Sequence, residues 1–85
     1  MNHDFEYYIK AAKEKADRSY NLWQCVNRYI YSVLVRCQKE EKTLMDAAAI
    51  LDKSAGKKKR DEPTAMMNFR IAARQIRAGE DLLLL

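Results

Sequence analysis

The sequence predicts an all-α protein in which a long heptad-patterned helix is followed by a shorter second amphipathic helix. Three observations support this prediction: an apolar seam with heptad spacing runs from Phe5 to Leu51, no glycine or proline interrupts residues 2–55, and a second apolar stripe follows Pro63. The chain has 85 residues, which is room for a single helical domain, 1–85. We therefore expect a helical hairpin or a small bundle.

The apolar seam is found by stepping alternately four and three residues along the chain. Twelve of its fourteen positions are apolar, a pattern that drives helices to pair. The seam consists of Phe5, Ile9, Ala12, Ala16, Ser19, Trp23, Val26, Ile30, Val33, Cys37, Glu40, Leu44, Ala47 and Leu51. One edge of the seam is widened by Tyr8, Leu22, Tyr29 and Ile50. Its two polar positions, Ser19 and Glu40, mark where the helix can break, and we favour a bend near 38–43.

Capping residues predict where the first helical stretch, 3–54, begins and where it can restart. Asn2 or Asp4 is expected to accept hydrogen bonds from the first free backbone N–H groups. Ser19 and Thr43 can each cap a new helix in the same way. Any bend is therefore expected at one of these two positions.

The C-terminal third is divided by its glycines and its proline. Gly56 is expected to end the first stretch in a left-handed conformation, and a basic connection, 55–62, follows it. Proline is tolerated in a first helical turn, so the second helix is predicted over 63–78. Gly79 then ends that helix and leaves an apolar tail, 79–85, whose leucines pack on the chain's own bundle or on another subunit.

The β-branched and aromatic run Tyr29–Val35 is the one segment with a rival interpretation, because such residues favour strands. The heptad passes through it in register, and no turn residues bound it. We therefore predict a helix here, with more than one side covered.

Helix length predicts that a partner chain completes the structure. A continuous helix over 3–54 would be about 78 Å long, whereas a compact domain of this size has a radius of gyration of about 12 Å. The second helix, about 24 Å long, covers only a third of the seam. We expect a homo-oligomer or a larger assembly, with an interface formed by Tyr8, Trp23, Val26, Tyr29, Ile30, Tyr31 and Val33.

Positive charge is concentrated after residue 52. Residues 1–52 are balanced, whereas 53–78 carry a net charge of +6. This asymmetry predicts an acidic partner, which is either nucleic acid or an acidic protein face, unless the arginines pair with Asp46 and Asp52 in the fold. The expected contacts are Lys57, Lys58, Lys59, Arg60, Arg70, Arg74 and Arg77.

The sequence contains no recognisable catalytic or metal-binding motif. Its one histidine lies near the N-terminus, and its two cysteines, Cys25 and Cys37, would be about 18 Å apart in one helix, too far for a disulfide. We expect no enzymatic activity, no cofactor, no metal and no small-molecule substrate. No run approaches the roughly 20 apolar residues of a membrane span, and the acidic N-terminus is unlike a signal peptide, so we expect a soluble cytoplasmic protein.

These observations predict a small, non-enzymatic helical interaction module of the regulator, adaptor, chaperone or inhibitor type. It would act through its apolar seam and surface tyrosines. The alternative is a small subunit of a nucleoprotein complex, which would bind the nucleic-acid backbone through the basic C-terminal third.

Overall fold

The structure, a computed structural model, describes residues 3–57 and 63–84. All regular secondary structure in these residues is helical, so the all-α prediction is confirmed. The four helices are α1 (Phe5–Arg18), α2 (Asn21–Lys39), α3 (Leu44–Gly56) and α4 (Pro63–Ala78). They form a small bundle with dimensions of 34 × 25 × 23 Å, so the 78 Å helix that the unbroken seam would give is folded back on itself.

The break between α2 and α3 lies where the sequence predicts it. Thr43 caps α3: its hydroxyl accepts from the Asp46 N–H at 3.1 Å, and the Asp46 carboxylate accepts from the Thr43 N–H at 2.9 Å. This reciprocal arrangement is a capping box, which satisfies two backbone donors that a helix start leaves unpaired. Glu41, just before it, adopts a left-handed φ of 58°, and the chain reverses there.

A second break separates α1 from α2, and it was the less favoured of the two predicted positions. Ser19 was expected to cap a new helix, but it ends α1 instead. Tyr20 occupies the N-cap of α2 and makes no capping hydrogen bond with its side chain. Asn21 takes a left-handed φ of 54°, a conformation that asparagine tolerates better than most residues.

Three further boundary predictions are tested by the described residues. Asp4 caps α1 as expected, because its carboxylate accepts from the Tyr7 N–H at 2.9 Å. Gly56 is still helical and has no left-handed φ, so that prediction is wrong; Lys57 is the C-cap, in the right-handed region. Gly79 takes a φ of 70° at the end of α4, as a C-terminal glycine is expected to do. Asn2 and the connecting residues 58–62 lie outside the described residues.

The two breaks let the chain cover its own seam. α1 packs along α2, α3 packs along α4, and α2 also contacts α3 and α4. Between α3 and α4 the buried positions are largely alanine, which allows the two helices to approach closely. The largest fully buried apolar side chains are Tyr8, Phe69, Ile30, Leu34 and Leu51.

A buried polar chain links α4, α2 and the end of α1. Asn68 Nδ2 donates to Asn27 Oδ1 at 2.6 Å, Asn27 Nδ2 donates to Ser19 Oγ at 2.9 Å, and Ser19 Oγ donates to the Lys15 carbonyl at 2.6 Å. Both asparagines are fully buried. Buried polar groups are costly unless paired, so this chain of bonds favours one packing of the α1–α2 junction against α4.

The C-terminal tail closes over the start of α1. Tyr8 Oη donates to the Glu80 carbonyl at 2.7 Å, and the Leu82 N–H donates to Tyr7 Oη at 3.1 Å. Leu82 and Leu84 are buried in the chain's own core, whereas Leu83 is exposed. The first of the two predicted locations for the tail leucines is therefore the one observed for Leu82 and Leu84.

Candidate functional site

Among the described residues, exposed apolar side chains lie beside one another at the junction of α1 and α2. Tyr20 is 80% exposed and Leu22 is 52% exposed, and Trp23 next to them is half-buried. We call these three residues the corner patch. They line a surface groove of about 380 Å³ together with Lys15 and Arg18.

Backbone geometry explains why the corner patch is exposed. The left-handed conformation of Asn21 turns the chain sharply between the two helices, and the Ser19 hydrogen bonds anchor the turn from the inside. Tyr20 and Leu22 lie on either side of Asn21, outside this anchored turn. Leu22, predicted to widen the edge of the seam, is instead 52% exposed.

A second groove, of about 400 Å³, runs along α1 and ends against the tail. We call it the α1 groove. Its apolar lining is Tyr7, Ala11 and Leu82, and its charged lining is Lys10, Glu14, Lys15 and Arg18. Lys15 and Arg18 also line the groove at the corner patch, so the two grooves adjoin along the last turn of α1.

The cations of the α1 groove have no ion-pair partner among the described residues. The neighbouring Lys13 does, because its Nζ lies 3.1 Å from an Asp17 carboxylate oxygen. Lys15 and Arg18 lie in the last turn of α1, where the helix dipole favours positive charge. The groove therefore combines apolar surface with positive charge that is available to an external anion.

The seven residues predicted to form a partner interface divide into two groups. Four of them are buried within the chain's own core: Tyr8, Val26, Ile30 and Val33. Of the other three, Trp23 lies in the corner patch and Tyr31 packs half-buried against the core. Tyr29 is bound internally, since its hydroxyl lies 2.6 Å from Ser54 Oγ and its ring centroid lies 5.1 Å from that of Phe69.

The predicted basic contacts are also divided by the structure. Arg77 pairs with the carboxylate of Asp52 on α3. Pairing within the fold was the predicted alternative to an acidic partner. Arg70 and Arg74 are exposed and make no ion pair with any residue that the structure describes. Lys57 is exposed at the C-cap of α3, and Lys58, Lys59 and Arg60 lie outside the described residues.

The groups with shifted pKa values belong to the core and the caps. Burial raises the pKa of the Tyr8 phenol and of the Cys37 thiol above their ordinary values. Hydrogen bonds from Thr43, chiefly its backbone N–H, lower the pKa of Asp46. Each of these shifts follows from the packing or capping of a helix.

The burial of Asn27 and Asn68 and the exposure of Tyr20 were not predicted from the sequence. Asn27 follows Trp23 by four residues and precedes Ile30 by three, so its position on the inner face was visible in the periodicity. Asn68 likewise follows Ala65 by three residues and precedes Ala72 by four. Because an amide does not contribute to an apolar periodicity, the inner position of these two asparagines does not stand out in the sequence.

Among the described residues, no group of three or more histidine, cysteine or acidic side chains is arranged to hold a metal ion. No helix in the described parts of the chain has both the length and the apolarity to cross a bilayer. A scan against protein-family models finds no match, and searches of curated proteins and of solved structures find none either.

Proposed function

We propose that this chain is a small, non-enzymatic helical interaction module that binds a protein partner through the corner patch. The observation that carries the proposal is the exposure of Tyr20 and Leu22 on either side of a residue in the left-handed conformation. A solvent-exposed aromatic ring beside an exposed leucine gains nothing for folding, whereas both residues are suited to burial in an interface.

Two features support binding at this corner rather than elsewhere. The seam itself is covered by the chain, so its apolar surface is used in folding. The corner, in contrast, is held in place from inside by the Asn27–Ser19 hydrogen bond. A rigid apolar patch loses little conformational entropy when a partner binds, so it is suited to act as an anchor.

The proposal is tested by comparing three immobilised proteins as bait in a lysate of the source cells. These are the wild type, the corner variant Y20A/L22A, and a matched control, M45A/M67A. Met45 and Met67 are 56% and 49% exposed, so the control removes similar apolar surface at other positions. Alanine suits position 20, since serine would add a helix cap that the wild type lacks.

We expect a protein that the wild type and M45A/M67A retain and that Y20A/L22A loses. Truncating interface anchors costs about 2 kcal/mol or more, so the purified partner should bind Y20A/L22A about thirty-fold more weakly. The same set of retained proteins on all three baits would contradict the proposal. The wild type and both variants should have the same helical circular dichroism.

A second candidate function rests on the exposed arginines of α4. Arg70 and Arg74 lie one helical turn apart, and α4 contains no acidic residue. Two guanidinium groups at this spacing, neither of which pairs with a residue that the structure describes, suit the phosphates of a nucleic-acid backbone. Arg77 is excluded from this face because Asp52 already holds it.

A salt titration of binding to a generic DNA duplex tests this second candidate. Backbone binding gives a linear fall of log K with log salt, and R70E/R74E should make that slope shallower by about two units. Arg77→Ala is the matched control and should leave the slope unchanged, because its charge is already paired. Binding that is absent, or equally affected by Arg77→Ala, would rule out this arginine pair as the contact.

A further inference from the structure

We infer that the partner presents an acidic amphipathic helix, which lies along the α1 groove with its apolar face extending onto the corner patch. This inference rests on the proposed function and names the chemistry of the partner. It is drawn from the charges, length and apolar lining of the two adjoining grooves.

The net positive charge of the α1 groove indicates that the partner segment is negatively charged. Lys10, Lys15 and Arg18 line it and have no ion-pair partner among the described residues, against a single carboxylate, Glu14. The cations follow one another along about two turns of α1. A partner segment with carboxylates one or two turns apart matches them, and charge complementarity of this kind steers association and fixes register.

The dimensions of the groove fit a short helix. From Tyr7 to Arg18 the groove follows twelve residues of α1, and the rise between the first and the last is about 17 Å. A partner helix of about 12 residues has the same length. Apolar side chains one turn apart on its inner face would contact Ala11 and Leu82 at one end and Leu22 and Trp23 at the other, which is the helix-in-groove mode of recognition.

The lining favours a peptide over a nucleic acid. Leu22, which is 52% exposed, and the half-buried Ala11 offer aliphatic surface that a partner leucine or phenylalanine would bury. A phosphate backbone gains little from such surface. Single-stranded nucleic acid also prefers several exposed aromatic rings in series, whereas the described lining offers Tyr20 as its one strongly exposed ring.

The test is a selection from a random 16-residue peptide display library against the immobilised full chain. Enriched peptides are synthesised and their affinities measured for the wild type, Y20A/L22A and K15E/R18E. The charge-matched control is K39E/K53E, which reverses two exposed lysines away from the groove. Fluorescein-labelled twenty-nucleotide oligothymidylate is titrated against the same proteins.

We expect enriched peptides that are acidic, with apolar residues at helical spacing. Each exposed charge pair contributes about a two- to five-fold change in affinity, and reversal turns attraction into repulsion. K15E/R18E should therefore weaken binding by about tenfold, while K39E/K53E should change it less than about threefold. Replacing the glutamates of a selected peptide with lysine should restore its affinity for K15E/R18E.

Three results would overturn the inference, and they differ in what they say about the proposed function. Peptides that need Tyr20 and Leu22 but are neutral and insensitive to K15E/R18E would refute the acidic helix and keep the corner as a protein-binding site. Oligothymidylate binding that is lost in K15E/R18E would show that the groove binds phosphate instead. No enriched peptide whose affinity depends on Tyr20 and Leu22 would contradict both proposals.

Discussion

Asn27 and Asn68 meet in the interior of the bundle, and replacing one of them tests whether this pair sets the packing of α2 on α4. In Asn68→Leu the side chain keeps its branching and its number of heavy atoms, but Asn27 Oδ1 loses the donor that lies 2.6 Å away. A buried polar atom deprived of its hydrogen bond costs about 1–3 kcal/mol. For a chain of this size that corresponds to a fall in melting temperature of about 5–20 °C.

A double-mutant cycle separates this hydrogen bond from general repacking. Replacing both partners by apolar groups of similar shape leaves neither a donor nor an acceptor of that bond unpaired, so the loss of the bond itself changes stability little. N27L/N68L should therefore be less destabilised than the sum of the single variants, with a coupling of about 0.5–3 kcal/mol. The free energies come from urea unfolding followed by circular dichroism.

Gln38→Leu is the control, because it replaces an exposed amide on α2, the helix that carries Asn27, and should change stability by less than about 0.5 kcal/mol. The reasoning is refuted if the two asparagine variants are additive to within about 0.3 kcal/mol. It is also refuted if Asn68→Leu is as stable as the wild type. Asn27 also donates to Ser19 Oγ. Coupling between Asn27 and Asn68 would therefore mean that the packing of α4 helps to hold the turn that carries the corner patch.

Three further predictions concern stability. Tyr8→Phe should lose about 1 kcal/mol at pH 7, the contribution of its bond to the Glu80 carbonyl. Burial raises the pKa of Tyr8, so the wild type should lose stability as pH rises above about 10, and Tyr8→Phe should lose less in urea melts over that range. Thr43→Ala should cost about 0.5–2 kcal/mol. The lowered pKa of Asp46 gives stability that is present above about pH 4 and lost as pH falls, and acid melts of Thr43→Ala should show a smaller loss. Glu41→Gly should stabilise the fold by up to about 1 kcal/mol, measured as a rise in melting temperature, because glycine removes the strain of a left-handed φ.

The helix boundaries that the sequence predicts are those with local chemical signals. The second helix was predicted over 63–78, and α4 spans the same residues, because a proline stands at one end and a glycine just past the other. The break before α3 was predictable from Thr43, whose capping box with Asp46 is a local pattern. In each case the residues that decide the boundary are neighbours in sequence.

The features that the sequence did not predict depend on tertiary contacts. Ser19 was one of the two positions predicted for a break, but a break there in addition to the one near Thr43 was not predicted, since Tyr20 makes no side-chain cap and Ser19 is bonded from within by Asn27. The expectation that folding needs a partner assumed that one helix had to cover the whole seam. Two breaks remove that reason, and assembly stays a prediction that now rests on the corner patch.

The placement of the candidate site shows the same limit. Leu22 fits the heptad edge, and its exposure follows only from where the chain turns at Asn21. Tyr29 was predicted at an interface with a partner; it is 39% exposed, and Phe69 and Ser54, which are distant in sequence, contact its ring and its hydroxyl. Which apolar residue remains for a partner is decided by these long-range contacts.

Tyr20 and Leu22 are proposed to serve binding and not folding. This is tested by the free energy of unfolding of Y20A/L22A beside that of the wild type, from urea titrations at one protein concentration. We expect a difference of less than about 0.5 kcal/mol, as for exposed positions. A loss of about 2 kcal/mol or more, as for truncation of a buried leucine, would show that these side chains belong to the core and would refute their role as a binding surface.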